Sequence, residues 1–189
     1  MRNFEQYVDP ALTYDFTQGP DKVRNYADAA RDGVNCVSLA HLVMKDAFGE
    51  SLPPDLFFYE MFSDTERFAP VTGLSGMQPA DLVWLGHGNP KFEIDEFTPE
   101  FVDGHMTNWD DSPIKHVGVF TGEVKDDEPM VLHACWYVGR TAVWPLSEFS
   151  QYPKYERVYG VSRYIPEADR LQTPATTLWR PAQLELQPV

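Results

Sequence analysis

Cysteine is scarce in this chain. Two thiols, Cys36 and Cys135, stand among 189 residues, so a stapled disulfide framework is not implied. The two could bridge only if their α-carbons come within about 7 Å, which the sequence leaves open. Basic residues are also few, 15 against 29 acidic, for a formal charge of −14. Such a surface repels phosphate backbones and anionic headgroups, so neither nucleic acid nor a membrane surface is expected as a partner. No apolar run reaches bilayer-spanning length, and Met1-Arg2-Asn3-Phe4-Glu5-Gln6 lacks the apolar stretch of a secretion signal. The expectation is a soluble protein without a signal peptide, cytoplasmic as translated unless exported by a signal-less route. CxxC and HExxH spacings are missing too, and neither a metal nor a cofactor is expected.

What is present is enough for a folded domain. Hydrophobic residues at 43% and aromatics at 14% argue against disorder, and the length suits one core. The chain divides into a single catalytic-type domain over 1–165, an acidic loop inserted at 86–115, and a tail over 166–189 punctuated by Pro166, Pro174, Pro181 and Pro188. Helical spacing of Cys36, Leu39, Ala40, Val43 and Ala47 predicts a helix over 34–48, stopped by Gly49. Shorter helices are expected over 21–30 and 55–63. Runs at 81–85, 116–121, 130–137, 140–144 and 158–164 read as strands. Asp126-Asp127-Glu128-Pro129 and Val138-Gly139 supply turns that would make the middle three a meander. The fold class is α+β, a cysteine-bearing helix near the N-terminus packed on an antiparallel sheet.

Chemistry concentrates at three positions. Cys36 opens its helix, where the peptide dipole favours a thiolate. His116 begins a strand and is followed by Gly118, where a side chain would crowd a neighbour; His133 lies on the next strand. The order Cys…His…His reads as a nucleophile, its base and the orienter of that base. Cys135 lies two residues beyond His133 and faces the same way if that run is extended. His41, on the cysteine helix, is expected to face solvent or a polar pocket.

Four motifs in order carry a resemblance. They are Asn35-Cys36-Val37-Ser38, Ala80-Asp81-Leu82-Val83-Trp84, His116-Val117-Gly118-Val119-Phe120 and His133. The set resembles the NlpC/P60 cysteine peptidases, of papain-like fold, whose members show Asp-Cys-Ser-Gly, Gly-Asp-Leu-Val, His-Val-Gly-Ile-Tyr and a third polar residue on the following strand. It covers roughly 14–145, with gaps. The resemblance implies a thiol hydrolase acting on an amide of a small peptide or muropeptide, through Cys36, His116 and His133. It also implies a tyrosine in the oxyanion region, and two residues compete for that place. Tyr14 has the better context and Tyr26 the better spacing. Asn35 stands where members that cut next to a free amine carry an aspartate, so hydrogen-bonding capacity is kept and the charge is lost. The specific peptidoglycan bond does not follow.

Two other readings stay open on sequence alone, a non-catalytic binding module on the same fold and a thiol acyltransferase. The loop at 86–115 is longer than the family's usual connection. Its acidic residues, interleaved with Phe92, Phe97, Phe101 and Trp109, are expected to cover the Cys36 cleft and favour amine-bearing substrates.

Overall fold

The computed structural model describes residues 4–9, 12–102 and 105–170. Helices α1 (Tyr26–Asp32), α2 (Cys36–Phe48) and α3 (Phe58–Ser63) precede all the strands, and a single turn, α4 (Glu167–Arg170), follows the last one. The expected tail thus begins with a helical turn, and its remainder, 171–189, lies outside the described residues.

Local chemistry sets the helix starts later than apolar spacing alone suggests. Asn25 accepts the Asp28 N–H and so starts α1 at Tyr26 rather than at residue 21. Val34 is held in a bridge with Tyr14, so α2 begins at Cys36. Asn35 caps it by accepting the Ser38 N–H, while the Ser38 hydroxyl accepts the Asn35 N–H, a reciprocal capping box. Gly49 ends the helix in the left-handed region at φ 74°, donating its N–H to the Lys45 carbonyl.

The main sheet is antiparallel, in the order β1-β8-β2-β5-β6-β7. Its strands are β1 (Phe68–Pro70), β2 (Leu82–Gly86), β5 (Ile114–Lys125), β6 (Glu128–Cys135), β7 (Arg140–Pro145) and β8 (Arg157–Tyr164). A small hairpin, β3 (Phe101–Val102) with β4 (His105–Met106), lies within the insertion. β5, β6 and β7 form the expected meander, and the chain then crosses to place β8 beside β2. β1 has no sequence signal of its own. It is three residues long, ends in proline and borders only β8, as an edge strand allows. The β5–β6 turn uses Asp126 and Asp127 at φ 52° and 64°, a conformation aspartate tolerates.

Strand alternation divides the core in two. Leu82, Trp84, Val117, Val119, Leu132 and Ala134 pack with α2. Val83, Leu85, Phe120, Val131, Cys135 and Phe149 form a second cluster on the reverse face. Trp84 meets Phe58 and Phe62 edge-on at 5.5 and 5.3 Å and donates its indole N–H to Ser162 Oγ at 2.8 Å. The motif residue Asp81 is 1% exposed and paired with Arg163 through both carboxylate oxygens, at 2.9 and 2.8 Å. It anchors β8 to β2 and is structural. Ala80, where the resembling family has glycine, sits at φ 77°.

Candidate active site

Cys36 and His116 line one cleft of about 940 Å³. The helix start delivers the first and the opening of β5 the second. The sheet delivers His133 beside His116, with His116 Nε2 and His133 Nδ1 3.0 Å apart. Gly118 makes room between the strands. A Cβ there would lie 2.4 Å from Val131 Cγ1 and 3.7 Å from His133 Cβ, so any side chain would push the second imidazole's strand away. Both cysteines are free, Cys36 half-buried and Cys135 buried.

The electrostatics depart from the expected preformed thiolate. Burial pushes the Cys36 thiol up to about 11, although the N–H groups of Val117, Val37 and Cys36 itself favour the anion. Desolvation outweighs the helix terminus. His116 is brought down to about 3 by burial. His133, fully buried, is held well below the usual histidine range by burial and then by the charge His116 would carry. The resting pair is therefore a neutral thiol and a neutral imidazole. His133 Nε2 has no hydrogen-bond partner and is out of water. The ring lies among Trp144 at 4.3 Å and Phe149 at 4.6 Å, surroundings that oppose any charge on it.

Of the two tyrosines, Tyr14 lines the cleft. Its hydroxyl is held protonated by burial and by the neighbouring Cys36 sulfur. Tyr26 is elsewhere, donating to Asp9 at 2.5 Å and resting edge-on against Tyr7. Asn35 is at the cleft but committed to the helix cap, its Nδ2 donating to the Phe16 carbonyl at 3.2 Å. His41 faces neither solvent nor the cleft. It is buried, 2.9 Å from the Leu56 carbonyl beside a separate cavity of about 310 Å³, and burial lowers its pKa to about 4.

The insertion is shorter and better packed than expected, because Gly86 belongs to β2 and Ile114 and Lys115 to β5. Phe97 is buried against Tyr59, and Trp109 packs on Phe58 at 4.9 Å. Glu93 pairs with Arg157 at 3.1 Å and Asp111 with Lys91 at 2.8 Å. Met106, Trp109 and Asp110 form one wall of the cleft. The charges that line the cleft balance, Asp21, Glu60 and Asp110 against Lys22, Lys115 and Lys154.

Tyr155 carries no signal of its own in the sequence. It stacks on His116 at 4.2 Å and 24° and borders the cleft, shielding the imidazole from water. It lies in the connection before β8, where no periodicity marks it. Among the described residues no cluster of three or more His, Cys, Asp or Glu is placed to hold a metal ion, and no helix is long and apolar enough to cross a membrane. No model of a known protein family matches the chain, and neither does any curated protein.

Proposed function

We propose that the protein is a cysteine-nucleophile amide hydrolase on a papain-like, NlpC/P60-type arrangement, with small peptides of the muropeptide kind as substrates. The observation that carries this reading is Cys36 and His116 on one cleft, with His133 Nδ1 3.0 Å behind His116 Nε2. With Nε2–H donating to His133, Nδ1 is the nitrogen left to take the Cys36 proton. Sulfur attacks the amide carbonyl as that proton moves to His116 Nδ1. Collapse of the tetrahedral intermediate breaks the C–N bond, and His116 returns the proton to the leaving amine. Water, deprotonated by His116, then cleaves the thioester. The developing oxyanion falls to the Cys36 N–H and the Tyr14 hydroxyl, a group that stays protonated and able to donate. His133, kept neutral by its aromatic surroundings, orients His116 without sharing its charge.

A resting neutral pair suits a reaction in which charge appears only once substrate has closed the cleft. Incubating the protein with muropeptides and weighing the products tests this. Cys36→Ala is expected to lower turnover by at least about 10³-fold with an unchanged thermal midpoint, and retained hydrolysis would remove the nucleophile. Apolar lining by Phe16, Phe57, Phe58 and Trp136 also suits an acyl chain, which favours acyl transfer as the second reading. Competition between added amines and water for the product separates the two. A binding module alone would leave Cys36 unlabelled by an acylating thiol probe, or labelled independently of His116.

A further inference from the structure

We propose that Lys115 is the receptor for a carboxylate on the substrate, so that the amide opened by Cys36 belongs to a peptide with a free carboxyl group near the scissile bond. This rests on the hydrolase reading for the cleavage but not for the binding.

Lys115 immediately precedes His116 on β5 and borders the same cleft as Cys36. Its residue exposure is 9%. The ammonium donates to the Trp109 carbonyl and lies over the Trp109 ring, 5.1 Å from its centre. Three N–H bonds radiate from an ammonium, so two remain for other acceptors. What it lacks is a carboxylate in direct contact. Among the described residues Lys115 joins none of the ion pairs. Asp111 is bound to Lys91 at 2.8 Å. Asp110 and, more weakly, Asp111 favour the ammonium only through space, and Lys154, whose charge rests over Trp136 at 4.6 Å, opposes it. Asp21, Lys22 and Glu60 complete the charged walls.

A largely buried cation without a carboxylate in contact is costly. Here burial lowers its pKa to about 8, so it remains mostly charged at neutral pH. A substrate carboxylate entering the cleft would supply the missing charge and take the two free N–H bonds, making the charge-assisted contact that gives such pairs their strength. An amine at that position would meet repulsion, the reverse of what the acidic insertion suggests in sequence. His116, held near 3, stays neutral across the relevant range and adds no competing charge.

The test measures binding and cleavage separately. Calorimetry on Cys36→Ala compares muropeptides bearing free carboxylates with the same muropeptides converted to carboxamides. The acid form is expected to bind about 10- to 100-fold more tightly. Adding Lys115→Met should bring the acid form to the carboxamide level, and Lys115→Arg should retain part of the difference. Without any substitution at position 115, the preference should fade as pH rises through about 8, a readout that survives if Lys115→Met does not fold. Equal binding of acid and carboxamide forms, or a preference untouched by Lys115→Met, overturns the proposal. An acid preference in binding without turnover of either form by the intact protein overturns the hydrolase reading alone. Binding of neither form overturns both.

Discussion

The two faces of the sheet are built from the same strands and behave differently. On the α2 side, Leu82, Trp84, Val117, Val119 and Leu132 make an apolar layer. On the reverse, the same β5 and β6 present His116, Gly118, His133 and Cys135 amid Tyr155, Phe149 and Trp144. Period-two alternation separates the layers: on these strands the α2 side is apolar throughout, whereas the reverse side sets the two histidines into an apolar cluster of its own. Cys36 comes from the helix side and His116 from the reverse, and both line the cleft. Stability and reactivity should therefore be separable by substitution.

The largest expected effect sets one face against the other. His116→Ala should lower turnover about 10²–10⁴-fold, with His133→Ala less damaging and His133→Asn partly restored. Trp84→Ala should cost about 3–5 kcal/mol of stability while the folded fraction keeps its activity. Denaturant titrations beside steady-state rates check both, and matched losses of stability and rate in every variant would abolish the distinction.

Acid sharpens it. Three buried histidines have folded pKa values below the unfolded 6.5, about 4 for His41, about 3 for His116 and lower than usual for His133. Lowered values mean that the unfolded chain binds protons first. Stability is complete above pH 6.5 and declines as pH falls toward the folded values, by about 1.4 kcal/mol per pH unit for each histidine. Substituting His41 by glutamine should remove roughly one third of that slope, leaving the part owed to the reverse face; unfolding curves at pH 7, 6 and 5 measure it. The smallest effect is expected at the entry to β2. Ala80→Gly should relax the φ of 77° and raise stability by about 0.5–1 kcal/mol, visible as a small rise in thermal midpoint.

Much of this frame is legible in the sequence where a local rule has one answer. The α2 pattern, the Gly49 stop, the meander turns and the crowding at Gly118 all follow from residue type and spacing. Residues whose meaning depends on distant chain are not legible. Phe68–Pro70 becomes a strand only because β8 runs beside it. Tyr155 and Phe149 reach the histidines from the connection between β7 and β8. His41 is polar on a helix, yet α2 is covered on nearly every side, so the ring is inside. The thiolate expectation failed for a related reason. The helix terminus is local and readable, whereas the desolvation that overrides it is assembled from Tyr14, Tyr155 and the strands.

That buried, protonated thiol has a consequence for endurance. Thiolates attack peroxide and disulfides far faster than thiols do. With its pKa pushed up to about 11, Cys36 would resist oxidation at neutral pH for as long as the thiol stays protonated. If the proposed hydrolase reading holds, the protein could wait for long periods in oxidising surroundings without a partner to reduce it.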